Sequence, residues 1–168
     1  MKITGYTYEK KEPGFAELRF VLKALSNDST RHVLTMLCVR EGKFIATDGR
    51  RLHQADKAER HEDGLYHVLA NTAKRIVLSK AEDDLKYPNT EQVIPKTHSH
   101  TVSGNRPEMV QHKVTKAGGG CINHQYLLDA MPDKQTDNVN VSFTDELSPY
   151  KISNGQGFAV IMPIRGEE

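Results

Sequence analysis

Two glycine-containing turns, close together in the first half of the chain, restrict the fold more than any other feature. Gly42 and Gly49 each follow an acidic residue, and strand-forming apolar segments flank both of them. Glycine adopts the positive φ angles that short hairpin loops require, so each acidic-Gly pair predicts a tight turn between antiparallel strands. The sequence therefore predicts three consecutive antiparallel strands, over residues 32–39, 43–47 and 50–56.

A helix is predicted before these strands, and a further strand and a second helix are predicted after them. Apolar residues recur at helical spacing over 15–27, with Arg19 and Lys23 together on another face. Residues 65–70 are predicted to form a strand. Residues 71–83 fit a helix with either Asn71 or Thr72 as its N-cap, although Arg-Ile-Val-Leu within this segment also fits a strand.

The second half begins with a proline-containing segment. Residues 86–100 hold two prolines and show no period, which predicts an extended connector. Asn123 and Pro132 are predicted to cap and to stop a short helix over 123–131. The other predicted elements are a strand over 108–115, a loop over 116–120, and strands over 138–144, 149–153 and 157–165.

The two halves share a pattern of one helix followed by three strands. This pattern predicts an α+β fold of two helix-plus-antiparallel-sheet halves related by approximate internal symmetry. The predicted boundaries are a single domain over 1–168, with half one at about 1–85, the connector at about 86–100 and half two at about 101–168.

Composition points to a soluble, cytoplasmic protein. No apolar run reaches the roughly 18 residues that cross a bilayer, and the first residues lack the apolar centre of a secretory signal. The two cysteines, Cys38 and Cys121, are predicted to be reduced and structural. A net charge of +1 does not mark the whole chain as a partner of polyanions, so any basic surface would be local.

No motif predicts catalysis, a metal or a cofactor. His98 and His100 have the spacing that places both on one side of a strand, but no carboxylate or cysteine completes a ligand set. The Ala-Gly-Gly-Gly run at 117–120 lacks the lysine and hydroxyl of a phosphate-binding loop. The chain is therefore predicted not to be an enzyme, and a hydrolase with an unrecognised catalytic cluster remains the weaker alternative.

Four segments together resemble, in order, signatures of the bacterial DNA polymerase III β sliding clamp family. They are "IATDGRRL" (45–52), "YPNTEQVIPK" (87–96), "NHQYLLDAM" (123–131) and "LSPYKISNGQGFAVIMPIR" (147–165). Residues 15–39 are similar to the helix and strand that precede the first signature. A family subunit has three clamp domains and two subunits close into a ring, whereas this chain is long enough for about one domain.

The resemblance implies an apolar groove for short peptide motifs, typically glutamine followed by leucine and phenylalanine, from DNA polymerases and other clamp-binding proteins. Gln92 stands where the family often has an arginine, and Thr90 replaces an aromatic residue, so the charge and stacking at the rim are expected to differ. Carried over residue by residue, the groove comprises Leu34, Thr47, Gly49, Arg51, Leu52, Pro88, Val93, Pro149, Val160, Met162 and Pro163.

The paired arginines acquire different expected roles from this resemblance. Arg51 is expected beside the groove, packing its stem or donating to a peptide carbonyl, while Arg50 points to the other face of the strand. In the family, helices face the DNA backbone. The corresponding candidates for non-specific contact with duplex DNA are Arg19 and Lys23 on the first helix and Lys74, Arg75 and Lys80 on the second, although a solvated helix face explains them equally well.

Two functions stay open at this point. The first is a clamp-like accessory protein of DNA replication and repair that forms a homo-oligomer, with a ring around duplex DNA as the largest assembly. The second is a stand-alone peptide-binding module or decoy, of phage or mobile-element type, that does not encircle DNA. Neither requires a cofactor or a membrane.

Overall fold

The computed structural model describes residues 5–56, 58–82, 84–132 and 137–164. The chain divides into two compact units. The first contains the residues up to Gly49 together with His53–Pro88, and the second contains Arg50–Leu52 together with the residues from Asn89 onward. Each unit combines helices with antiparallel strands, so the predicted α+β class is confirmed. That the two units form a single clamp-like domain stays a prediction.

The first unit is a mainly antiparallel sheet with one α-helix and one 3-10 helix. Its strands lie in the order β1-β6-β5-β2-β3-β4, and the first two residues of β4 belong to the second unit. The elements are β1 (Gly5–Glu9), α1 (Phe15–Leu22), a 3-10 helix (Ser29–Thr35), β2 (Leu37–Arg40), β3 (Lys43–Thr47), β4 (Arg51–Asp56), β5 (Gly64–Asn71) and β6 (Arg75–Lys80).

Both glycine turns are confirmed. Arg40 pairs with Lys43, so Glu41 and Gly42 form a two-residue loop, and their φ angles of 52° and 74° suit a type I′ turn. Gly49 has a φ of 91°, and a Cβ atom there would lie 2.8 Å from Nη1 of Arg31. The positive φ angle therefore favours glycine at this position, whereas the Arg31 guanidinium is the end of a flexible side chain that can move away.

The first helix and the strand after it are shorter than the sequence predicts. α1 ends at Leu22, and the Ser26 N–H donates to the Leu34 carbonyl at 3.0 Å instead of continuing the helix. The predicted strand over 32–39 is wrong in its first half, because the 3-10 helix occupies this part. Asp28 caps that helix by accepting from the Thr30 N–H at 2.9 Å.

The helix predicted over 71–83 is wrong, because residues 75–80 form β6. Ile76 and Leu78 are buried and alternate with less buried neighbours, which is the period of a strand. β6 pairs with β1 on one side and with β5 on the other. These two neighbours satisfy its backbone groups, which a helix would have satisfied internally. Asp83, the last residue of the predicted helix, lies outside the described residues.

The second unit contains the remaining strands and two α-helices. Its strands lie in the order β7-β8-β9-β10, and β10 is followed by the first residues of β4. The elements are a 3-10 helix (Glu91–Val93), β7 (His100–Gly104), α2 (Pro107–Lys116), α3 (His124–Asp129), β8 (Val139–Phe143), β9 (Tyr150–Asn154) and β10 (Gly157–Ile161).

The strand predicted over 108–115 is wrong, because these residues form α2. Pro107 begins the helix, and Val110 and Val114, four residues apart, are both fully buried. β7 begins at His100, the last residue of the predicted connector. Each unit therefore places a strand before its first α-helix, which the predicted pattern of one helix and three strands lacks.

The last four predicted elements are confirmed: three have shorter bounds, and β9 is shifted by one residue. Asn123 caps α3 by accepting from the Tyr126 N–H at 3.1 Å, and the helix ends at Asp129. The three predicted C-terminal strands correspond to β8, β9 and β10. Arg165, with which the last predicted strand ends, lies outside the described residues.

A buried histidine lies in the aromatic core of the first unit. His61 is 7% exposed, and its Nε2 atom lies 2.7 Å from the hydroxyl of Tyr8. The rings of Tyr6, Phe44 and Tyr66 lie within 5.6 Å of the imidazole, centroid to centroid. Burial, with a smaller contribution from Arg60, lowers the pKa of His61 to about 4, so the ring is neutral at neutral pH.

No helix in the described ranges is long and apolar enough to cross a membrane.

Candidate functional site

The segment that follows β10 is held by two backbone hydrogen bonds within the second unit. The Met162 N–H donates to the carbonyl of Arg50 at 3.0 Å, and the Ile164 N–H donates to the carbonyl of Cys121 at 3.4 Å. Pro163 lies between them and has no N–H to donate. We call residues 162–164 the docking segment.

The docking segment exposes large apolar side chains. Met162 is 45% exposed and Ile164 is 49% exposed, whereas Val160 and Ile161 just before them are buried. Neighbouring apolar side chains that stay in water are characteristic of contact surfaces. A flexible methionine also adapts its shape to different partners.

Arg51 is bound by α3. Its Nη1 atom donates to Oδ2 of Asp129 at 2.7 Å, and its Cζ atom lies 4.3 Å from the centre of the Tyr126 ring. Gln125 donates to the other oxygen of Asp129 at 2.9 Å. The arginine side chain is only 10% exposed. The Arg51 guanidinium, which was expected to donate to a carbonyl of a bound peptide, thus already forms a charge-assisted hydrogen bond and a cation–π contact.

Gln111 of α2 binds the backbone on both sides of Cys121, whose carbonyl supports the docking segment. Its side-chain amide donates to the Gly120 carbonyl at 3.0 Å and accepts from the Ile122 N–H at 2.8 Å. Cys121, whose carbonyl accepts from Ile164, lies between these two residues. The glycine-rich loop after α2 is therefore fixed at the point where it meets the docking segment.

The predicted groove residues are divided between the two units. In the second unit, Met162 lies next to Arg51 in the sense that its N–H donates to the carbonyl of the preceding residue, Arg50. Of the others there, Leu52 and Val160 are buried, Val93 is 42% exposed, and Pro149 and Pro163 are half-buried. In the first unit, Leu34 is buried, Pro88 is exposed, and the Gly49 N–H donates to the hydroxyl of Thr47.

Sequence reasoning did not select Ile164, Asp129, Tyr126 or Gln111. Ile164 could have been found, because it lies two residues after Met162 and would share its face in an extended chain. Tyr126 and Asp129 lie within the family-like segment 123–131, but no role had been carried over to them, and Gln111 had no local signal. Gln92 and Thr90, expected at the rim, differ in exposure: Gln92 is exposed and Thr90 is buried.

The predicted DNA-contact residues do not line two helices. Arg19 of α1 donates to the Thr72 carbonyl at 3.1 Å. Thr72 lies in the turn between β5 and β6, which also contains Lys74, and Arg75 is the first residue of β6. Lys80 ends β6, about 16 Å away along the strand. It forms an ion pair of 2.7 Å with Glu62, which lowers the pKa of that carboxyl.

The backbone of Lys10 also lies beside this turn, although the sequence did not single this residue out. Its N–H donates to the Lys74 carbonyl at 3.0 Å. Lys23 follows the end of α1. Within the described ranges, no group of three or more histidine, cysteine, aspartate or glutamate side chains is arranged to hold a metal ion.

Comparison with known proteins shows the fold of bacterial sliding clamps. No protein-family model and no curated protein matches the chain. The structure matches the DNA polymerase β subunit of Streptococcus pyogenes with a TM-score of 0.69 and 13% identity, over 99% of this chain and 68% of that one. It matches the DNA polymerase III β chain of Streptococcus pneumoniae with a TM-score of 0.66 and 15% identity, over 99% and 66%.

A third match is the sliding clamp of Bartonella birtlesii bound to griselimycin, with a TM-score of 0.62 and 17% identity, over 99% of this chain and 68% of that one. The chain thus spans about two thirds of the length of the clamps that it matches. The resemblance predicted from four short segments is confirmed as a likeness of fold.

Proposed function

We propose that this chain is a non-enzymatic, clamp-like accessory protein of DNA replication and repair in the cytoplasm. It binds short apolar motifs of DNA polymerases and other clamp-binding proteins at the docking segment. The observation that carries the proposal is the half-exposed pair Met162 and Ile164 on a backbone fixed at Arg50 and Cys121. The clamp fold supports it.

The expected affinity is modest. Two apolar anchor side chains contribute roughly 1.5–3 kcal/mol each on burial, and the ordering of a flexible peptide offsets part of this. The balance corresponds to a dissociation constant in the roughly micromolar range. Binding of this strength suits an accessory protein that exchanges one partner for another.

The proposal is tested with a fluorescent peptide of sequence Gln-Leu-x-Leu-Phe, followed by anisotropy. We expect micromolar binding to the wild type and at least tenfold weaker binding to Met162→Asp, because a carboxylate in the dock must be desolvated. Leu85→Asp is the matched control, since Leu85 is an apolar residue of similar size and exposure to Met162 but lies in the first unit. No binding to the wild type, or equal binding to wild type and Met162→Asp, would refute the proposal.

Self-association into a ring around duplex DNA is the second part of the proposal. β1 is the outermost strand of the first unit's sheet, and β7 is the outermost strand of the second unit's sheet. Edge strands carry unpaired backbone groups that can pair with another copy. Native mass spectrometry tests this part. A strict monomer at high concentration would leave the stand-alone peptide-binding module as the function.

Contact with duplex DNA is expected at the surface of the first unit formed by Lys10, Arg19, Lys74 and Arg75. Cationic side chains bind phosphates without reading sequence, and such binding weakens as salt increases. We expect Lys74→Glu with Arg75→Glu to abolish low-salt binding to a duplex, and Lys116→Glu at the end of α2 to preserve it. Lys80 is expected to contribute less, because Glu62 neutralises it. Absence of wild-type binding at low salt would remove this role.

A further inference from the structure

We propose that Asp129 and Tyr126 of α3 are positioning residues for the docking segment. They hold Arg51, and through it they orient the Arg50 carbonyl that fixes Met162. The inference rests on the proposed peptide-binding function for its biological meaning. The mechanical claim concerns only contacts within the second unit.

The side chain of Arg51 is constrained from two sides. Asp129 accepts its Nη1–H at 2.7 Å, and the Tyr126 ring stacks against the guanidinium at 4.3 Å. Asp129 itself cannot rotate freely, because Gln125 donates to its second oxygen. A partly buried guanidinium with a charged partner and a ring contact has far fewer rotamers than a solvated one.

The constraint on Arg51 passes to the docking segment through one peptide bond. The carbonyl of Arg50 and the nitrogen and Cα of Arg51 belong to one peptide group, which is planar and rigid. That carbonyl accepts the Met162 N–H at 3.0 Å. Because Met162 is the first exposed apolar residue after β10, a shift of the Arg50 carbonyl would displace the side chain that the proposed dock depends on.

α3 is itself well anchored for this role. Asn123 caps its first turn, and the Asn154 side chain donates to the Ala130 carbonyl just after its end at 2.9 Å. The helix also follows directly after Cys121, whose carbonyl holds Ile164. Both hydrogen bonds that support the docking segment therefore depend on residues within 120–130. Cys121 accepts one of them directly, and Tyr126 and Asp129 act on the other through Arg51.

A purely structural ion pair would predict something different. It would change the stability of the second unit and leave the affinity for peptide and the local order of Met162 unchanged in the folded protein. The test therefore measures two local quantities at a temperature where every variant is folded. They are the dissociation constant of the Gln-Leu-x-Leu-Phe peptide and the hydrogen-exchange protection of the Met162 amide, observed by NMR.

Asp129→Asn keeps the shape of the side chain and removes its charge. We expect it to weaken peptide binding about tenfold and to reduce the protection of the Met162 amide by a similar factor. The matched control is Glu62→Gln, which removes the partner of an ion pair of equal length in the first unit. We expect that control to change neither quantity by more than about twofold.

Tyr126 supplies the second arm. Tyr126→Phe keeps the ring and should behave as wild type, whereas Tyr126→Leu should reproduce the effect of Asp129→Asn. If Asp129→Asn fails to fold, the two Tyr126 variants decide the question. Folded Asp129→Asn or Tyr126→Leu protein with unchanged affinity and unchanged Met162 protection would overturn the inference. If the wild type binds no peptide, the proposed function fails, and Met162 protection alone then decides the positioning claim.

Discussion

The two units use buried polar groups for different purposes. In the first unit, polar atoms are enclosed by aromatic rings: His61 lies among tyrosines, and Nδ1 of His53 lies 2.8 Å from the carbonyl of Phe20 while its ring stacks on the Phe20 ring. In the second unit, Arg51 binds the Asp129 carboxylate of α3 and Gln111 binds the loop around Cys121, both near the exposed apolar side chains of the docking segment. The first arrangement stabilises a core, and the second prepares a surface.

The largest expected effect is on the aromatic core of the first unit. Phe44 is fully buried and its ring lies 5.6 Å from that of His61. We expect Phe44→Ala to lower the free energy of unfolding by about 3–5 kcal/mol, because it leaves a cavity. Urea denaturation measures this change. Phe158→Ala, at a less buried position of β10, is the control and should cost much less. Equal losses would contradict the contrast between the two positions.

The second effect is a dependence of stability on pH that originates in the first unit. Above about pH 6.5, His61 is neutral in both the folded and the unfolded chain. As the pH falls from there, His61 is protonated in the unfolded chain but stays neutral in the folded chain down to about pH 4. We expect this residue to reduce the free energy of unfolding by about 3 kcal/mol over that interval.

Urea denaturation at pH 7, 5.5 and 4 checks this expectation. His61→Phe should remove most of this residue's contribution to the slope, and His112→Phe, at an exposed position of α2, should preserve it. A wild-type slope that survives in His61→Phe would assign the pH dependence to other groups.

The third effect concerns the second unit. Arg51→Ala removes a partly buried ion pair and the stem that packs with it, so we expect a loss of about 1–2 kcal/mol in the free energy of unfolding. Thermal denaturation measures it. A loss that disappears in high salt would indicate an exposed pair instead, contrary to the 10% exposure of Arg51.

The smallest effect is expected at the ion pair between Lys80 and Glu62. It has the same length as the pair of Arg51 with Asp129, 2.7 Å, but its carboxylate is 80% exposed. Because water and salt screen such a pair, Glu62→Gln should leave the melting temperature unchanged within error. A shift as large as that of Arg51→Ala would show that burial does not separate the two pairs.

The wrong predictions share a physical cause. Residues 71–83 and 108–115 both contain apolar residues that fit more than one period, and the neighbouring elements decide which period is used. β6 is a strand because β1 and β5 flank it, and α2 is a helix whose buried valines are four residues apart. Each segment fits both periods, so its own pattern does not choose between a helix and a strand.

The candidate site was predictable only where it is local in sequence. Met162 and Pro163 were found because they belong to the C-terminal segment, 147–165, that resembles the clamp family. Asp129 and Gln111 were missed because their partners, Arg51 and the loop around Cys121, are distant in the chain or make no pattern with them. Ion pairs between distant residues depend on packing that adjacent residues do not encode.

Local signals were sufficient to predict the turns at Gly42 and Gly49, the cap of α3 at Asn123, and the likeness to the clamp fold. These features depend on the backbone freedom of single residues, on side chains that bond to nearby N–H groups, and on short ordered motifs. The strand over residues 75–80 and the binding of Arg51 to α3 could be seen only in the folded chain. Both outcomes require partners from elsewhere in the chain, and their contact energy outweighs local preference.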